Sequence, residues 1–199
     1  MGVLKDLTEE YFGEKVRKED DINIDGLDVE IVPFTDNNGK FHKRGYKPKD
    51  KDTLEKLLKR MIEVRGDEGD FNDIDTSDIT SMKSLFHFNE TFNGDITGWN
   101  VSKVEYMNCM FYNATSFNQP IGKWKFPNVK YMGSMFYGAA SFDQPIGNWK
   151  FPNVTDMNHM FAYATSFNQD LSKWDLKGKK KTKIFYGCPI KKEYKPKMK

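Results

Sequence analysis

From Phe71 to Tyr186 the chain repeats itself every 25 residues, and this restricts the fold more than any other feature. Met82, Met107, Met132 and Met157 head four copies that contain no insertion or deletion. Four places on stand Phe86, Phe111, Phe136 and Phe161, followed by Phe92, Phe117, Phe142 and Phe167. Ile96, Ile121, Ile146 and Leu171 come next, then every tryptophan of the chain: Trp99, Trp124, Trp149 and Trp174. Val101, Phe126, Phe151 and Leu176 complete the set, with Val104, Val129 and Val154 before the next Met. A fixed period of this kind marks a stacked array, because one repeat cannot bury its apolar face alone. A 25-residue unit is too short for paired-helix repeats of about 33–47 residues and falls within the leucine-rich-repeat range of about 20–29. Such a coil has room for one strand, one helical or 3₁₀ turn, and connections.

The remainder divides around that array. We expect an N-terminal extension over residues 1–50, a capping helix and link over 51–70, repeats over 71–190, and a basic tail over 191–199. The coils start near 82, 107, 132 and 157. In the extension, Thr8–Val16 reads as a short helix, and Ile22, Ile24, Leu27, Val29 and Ile31 alternate about Asp25-Gly26 as a hairpin would. Asp36-Asn37-Asn38-Gly39 is a second turn signal. Asp21, Asn23, Asp25 and Gly26 match half of a calcium loop, but Val32 stands where its bidentate Glu is needed, so a turn is the better reading. Leu54, Leu57, Leu58, Met61 and Ile62 form one helical stripe, with Asp52 and Glu55 as a capping box and Gly66 as the stop. This helix suits a lid over the first repeat's apolar edge better than a membrane or partner helix.

No apolar run reaches the roughly 18 residues of a membrane span, and no secretory h-region follows Met1. A cytoplasmic or within-particle location is therefore expected over Sec-dependent secretion. Cys109 and Cys188 have neither disulfide-framework nor zinc spacing. His42, His87 and His159 stand in unrelated contexts, and no phosphate loop, nucleophile elbow or Cys-His pair is present. We expect no enzyme activity and no cofactor or metal. The column Asn93, Asn118, Asp143, Asn168 should hydrogen-bond backbone at a turn of each coil, with Asp143, which only accepts, giving a different rung.

The phrase Met-Phe-Tyr-Gly-Ala-Ala-Ser-Phe-Asp-Gln-Pro-Ile-Gly-Asn-Trp-Lys-Phe-Pro-Asn-Val-Thr-Asp-Met at 135–157 resembles the BspA-like leucine-rich-repeat family. That family's repeat was first catalogued as a domain of unknown function in mycoplasma surface proteins. The resemblance covers about residues 47–190, including the lead-in Asn72-Asp73-Ile74-Asp75-Thr76-Ser77. It implies a short right-handed leucine-rich-repeat-type solenoid of about four coils, with a helical cap and a small α+β extension. It also implies a surface, adhesion or host-interaction role, with related repeats in large DNA viruses and no catalytic apparatus to transfer.

Solvent-facing columns supply the candidate contacts. Tyr106 and Tyr131 share one position, and Tyr112 and Tyr137 share another. Lys123 and Lys173 precede tryptophans, while Lys125 and Lys150 follow them. Tyr beside Lys is a usual protein-contact composition. Residues 177–199 hold ten Lys against one Glu, so the rest of the chain is net acidic. Lys191, Lys192, Lys195, Lys197 and Lys199 are the candidate tail contacts. The expected role is a non-catalytic protein-interaction module. One alternative is a structural subunit of a larger assembly, such as a large DNA virus particle, tethered by its termini. The other is an electrostatic adaptor to nucleic acid or an acidic surface, disfavoured by the absence of interleaved Arg or any nucleic-acid fold signature.

Overall fold

The computed structural model describes residues 22–36 and 39–197. The helix expected within Thr8–Val16 lies outside them. Two strands, β1 (Val29–Thr35) and β2 (Phe41–Pro48), pair antiparallel from Val29↔Pro48 to Thr35↔Phe41. The hairpin therefore turns at the second signal: the Asp36 carbonyl accepts from the Gly39 N–H at 2.9 Å. Asp25-Gly26 makes a separate turn ahead of β1, with the Leu27 N–H donating to the Ile24 carbonyl at 2.9 Å. The register shifts between Val32 and Phe34, where Pro33 has no N–H to offer the ladder.

Helix α1 (Lys51–Arg65) buries Leu54, Leu57, Leu58 and Met61 and ends at Gly66, whose φ is 77°. Its N-cap is Asp50, which accepts from the Thr53 N–H at 2.9 Å. The expected capping box from Asp52 does not form; Glu55 pairs with Lys51 one turn back. Arg65 holds Asp73 with two bonds of 2.8 and 2.7 Å, fastening the helix to the start of the repeats.

The expected leucine-rich-repeat-type solenoid, right-handed with a strand in each coil, is overturned. Among the described residues the regular structure is one helix, one antiparallel strand pair and two three-residue 3₁₀ turns, at Ile121–Lys123 and Lys192–Tyr194. No strand recurs with the period; isolated parallel bridges alone link Ser81, Tyr106, Tyr131, Asp156 and Lys180. The reason lies in the peptide planes. The N–H groups of Met107, Cys109, Phe111 and Asn113 donate to the carbonyls of Tyr131, Gly133, Met135 and Tyr137 at 2.7–3.0 Å. The same four bonds recur from Met82, from Met132 and from Met157 onward. Intervening peptides close tight turns within the segment, as from the Met110 N–H to the Met107 carbonyl and from Tyr112 to Cys109. A strand would direct both groups of alternate residues at a neighbour. Here every second peptide points along the stacking direction and the others turn inward.

This path requires left-handed backbone at two positions per segment. Ser84, Cys109, Ser134 and His159 occupy the first, at φ 56–60°. Phe88, Asn113, Gly138 and Tyr163 occupy the second, at φ 53–66°. Each non-glycine residue there costs about 1–2 kcal/mol, offset by the inter-segment bond that its N–H makes.

The apolar columns form one core. Met107, Phe111, Phe117 and Ile121 and their counterparts are buried throughout. A second row that the column reading did not single out, Met110, Met135 and Met160, is buried beside them. Rings stack within and between segments: Phe136 lies 5.5 Å from both Phe111 and Phe161, and 4.1 Å from Phe142.

The amide column forms a ladder. Asn93 Oδ1 accepts from the Asn118 N–H at 2.9 Å, Asn118 Oδ1 from Asp143 at 3.0 Å, and Asp143 Oδ1 from Asn168 at 2.8 Å. The expectation that Asp143 breaks the pattern is corrected, because the position is used only as an acceptor. The donor is the next residue: Gln119, Gln144 and Gln169 each reach back with Nε2 to the carbonyl of the previous rung.

Asp78 ties the hairpin to the stack, receiving Lys47 Nζ at 2.7 Å and Lys103 Nζ at 2.6 Å. These two ammonium groups, Lys103 foremost, hold its carboxyl down at about 2. A carboxyl depressed below its unfolded value of about 3.9 stabilises fully above that pH and ceases to as pH falls through the folded value. We expect Asp78 to titrate near the lower value by NMR, and Asp78→Asn to flatten the acid limb of stability between pH about 4 and about 2.

Candidate interaction surface

The hydrogen-bonded path above decides which side chains face solvent. Tyr106 and Tyr131 are each 40% exposed and stack at 5.3 Å with 13° between planes. Tyr112 and Tyr137 are half-buried and stack at 4.5 Å, with planes 1° apart. The carbonyls of all four accept from the preceding segment, so their backbones are held on the ladder. Exclusion of water, with Tyr112 as neighbour and hydrogen-bond partner, raises the Tyr137 phenol above its ordinary range.

The second pair belongs to a longer row. His87 and Phe88 abut Tyr112 at 5.0 and 5.5 Å. Tyr163 meets Tyr137 edge-on at 5.3 Å, and Tyr186 meets Tyr163 at 5.4 Å. Phe88, Tyr163 and Tyr186 are 56%, 44% and 53% exposed, and the column reading missed them. A signal was present. Asn113 and Gly138 share a column with Phe88 and Tyr163, and Asn with Gly points to left-handed backbone. The straight continuation of the tyrosine column is Ala162, which is buried.

Lys123, Lys125, Lys150 and Lys173 are exposed, but none lies over a tyrosine ring of either column. The cation–π pairs of the repeats lie at the C-terminal end, with Lys183 over Tyr186 at 5.3 Å, Lys191 over Tyr194 at 5.1 Å and Lys195 over Phe185 at 6.0 Å. The basic tail from Lys191 is thereby corrected to a packed segment as far as its description extends. The Lys191 N–H continues the amide ladder onto Asn168 Oδ1 at 3.0 Å, and the Tyr194 carbonyl accepts from Leu171 at 2.9 Å. Lys192 sits in the closing 3₁₀ turn and Lys197 is exposed; Lys199 lies outside the described residues.

The remaining chemistry-bearing residues are dispersed. His42 pairs with Asp36 at 2.9 Å, while His159 sits at a left-handed ladder position. Cys109 and Cys188 are not disulfide-bonded, and burial raises both thiols. Among the described residues no three His, Cys, Asp or Glu side chains converge as a metal site, and no helix is long and apolar enough to cross a membrane.

Neither the curated proteins nor the solved structures contain a match to this chain. The profile of one family does match, over residues 53–174 and again over 107–193. Together the matches run from Thr53, in the first turn of α1, through all four copies of the repeat, so the chain belongs to the family described as mycoplasma protein of unknown function, DUF285.

Proposed function

We propose that this protein is a non-catalytic protein-interaction module whose contact surface is the aromatic row Phe88–Tyr112–Tyr137–Tyr163–Tyr186, with Tyr106 and Tyr131 as a second patch. The observation that carries this reading is the anchoring of Tyr112, Tyr137 and Tyr186 through their own carbonyls, which accept from the preceding segment at 2.7–2.8 Å. A tyrosine held in place before binding loses little conformational freedom when a partner covers it. Tyrosine is also enriched where single residues dominate binding energy. Kinship with the BspA-like proteins, on the phrase at 135–157, belongs to this proposal as a relation of sequence and of surface-contact role.

The test is affinity capture from the native source, comparing the full chain with Tyr112→Ser/Tyr163→Ser and Tyr106→Ser/Tyr131→Ser. The first double variant should reduce recovery of the partner about tenfold or more, as loss of a hot-spot pair does, while its melting temperature changes little. Undiminished recovery by both variants would sink the reading.

A further inference from the structure

The inter-segment ladder runs in one direction, and at the C-terminal end it stops with its donors unused. Lys181, Lys183, Phe185 and Gly187 take the places of Met157, His159, Phe161 and Tyr163. Backbone conformation shows the correspondence: φ is 51° at Lys183 and 69° at Gly187, against 57° at His159 and 59° at Tyr163. The Phe185 ring stacks on Phe161 at 5.8 Å. The carbonyls of Lys180, Thr182, Ile184 and Tyr186 accept from the preceding segment at 2.7–2.9 Å. Each belongs to the same trans peptide as one of the four N–H groups, so those N–H bonds point the opposite way, off the end of the stack. Among the described residues none of the four has an acceptor.

Charge accumulates at the same place. Aligned peptides in successive segments add their dipoles, as in a helix, and here the positive pole is the C-terminal end. Residues 177–199 add ten lysines and one glutamate to it. Among the described residues the ion pairs of the chain all lie between Asp28 and Lys130, and none neutralises this end.

We propose that this edge docks an acidic polypeptide segment from another protein, laid along it as one further segment of the ladder would lie. The segment's carbonyls accept from Lys181, Lys183, Phe185 and Gly187, and its carboxylates meet Lys183 and Lys195, whose ammonium groups lie over Tyr186 and Phe185. A polypeptide fits because four donors at alternate residues are met, in every earlier segment, by a row of peptide carbonyls. A second copy of this chain does not fit. Its matching carbonyls, at Ser81, Lys83, Leu85 and His87, lie at the end roofed by α1, where Leu58 and Ile62 face Leu85 and Phe86 across a cleft. This site adjoins the tyrosine row at Tyr186, whose ring lies under Lys183, but its test reads the edge amides and the row's test reads partner capture by the tyrosine variants, so failure of one proposal is distinguishable from failure of the other.

The test is NMR on the ¹⁵N-labelled full chain, with capped oligoglutamate as probe and inorganic phosphate and a short DNA duplex as comparisons. Oligoglutamate should shift the four edge amides and slow their hydrogen exchange about tenfold at saturation, leaving Met157, His159, Phe161 and Tyr163 unchanged. Phe185→Pro removes one edge donor that has no bond to lose in the free protein, and should weaken binding about tenfold. Lys183→Gly keeps the left-handed backbone and the donor but removes a charge; it should weaken binding about threefold and keep the fold if the proline variant does not. The proposal is overturned by absence of binding, by shifts confined to other lysines with the edge amides unmoved, or by equal shifts from phosphate. Tighter binding of the DNA duplex at the same amides would replace the acidic polypeptide with nucleic acid.

Discussion

Phe136→Ala should destabilise the protein by about 3–5 kcal/mol, the range for emptying a large aromatic site in a closed core. Phe136 is fully buried, and its ring touches the segments on both sides as well as its own. Truncation therefore opens a void shared by three layers, none of which can move inward without breaking its four-bond ladder to the next. For a chain of this size the melting temperature should fall by about 10 °C. Denaturant titration gives the same quantity, with a lowered midpoint and an unchanged slope. A loss below about 1 kcal/mol would show that the rings are not packed as described.

Asn118→Ala should cost about 1–3 kcal/mol, because it removes an acceptor that two half-buried donors share, leaving the first without a partner while the second keeps the carbonyl of residue 118. Those donors are the Asp143 N–H, at 3.0 Å, and Gln144 Nε2, at 2.9 Å from Asn118 Oδ1. The informative control is Asn118→Asp. It preserves the oxygen that the ladder uses, and residue 143 already performs the task as an aspartate. We expect Asn118→Asp to stay within about 1 kcal/mol of the parent, as replacements that leave no group unpaired do. If both substitutions cost the same, the amide nitrogen is bonded after all and the acceptor-only account is wrong.

These predictions show how unevenly the structure was legible. The core was readable because burial depends on residue type at a fixed spacing, and every Met, Phe, Ile, Trp and Val column named as apolar from the sequence is interior. The helix stripe was readable for the same reason. Its cap was not: Asp50 and Asp52 are chemically alike, and only the chain's path decides which carboxylate reaches the free N–H groups. The hairpin turns one signal later than Asp25-Gly26 suggests, because Asp25-Gly26 and Asp36–Gly39 carry equal local preference, whereas pairing of Ile31 with Tyr46 is a non-local matter.

The candidate surface divides in the same way. Tyr106, Tyr131, Tyr112 and Tyr137 could be chosen from their columns, since identical positions of successive segments must lie side by side. Phe88, Tyr163 and Tyr186 do not follow from side-chain identity down a column, because each reaches the row from a position whose outward direction comes from a left-handed φ, marked in sequence only by Asn113 and Gly138, or from a shortened final segment. A leucine-rich-repeat strand was expected because 25 residues are enough for one, and length does not reveal how a peptide plane is turned.

Periodicity thus determined that successive 25-residue segments share one interior and which side chains fill it, and composition determined that positive charge gathers at the C-terminus. Apolar burial and net charge add up residue by residue and need no knowledge of the path between them. Tertiary structure decided the rest: no strand in any segment, every second peptide aligned along the stack, and four N–H groups left pointing from its basic end. Those features depend on where each backbone group finds its partner, about 25 residues away, and no local preference encodes that choice.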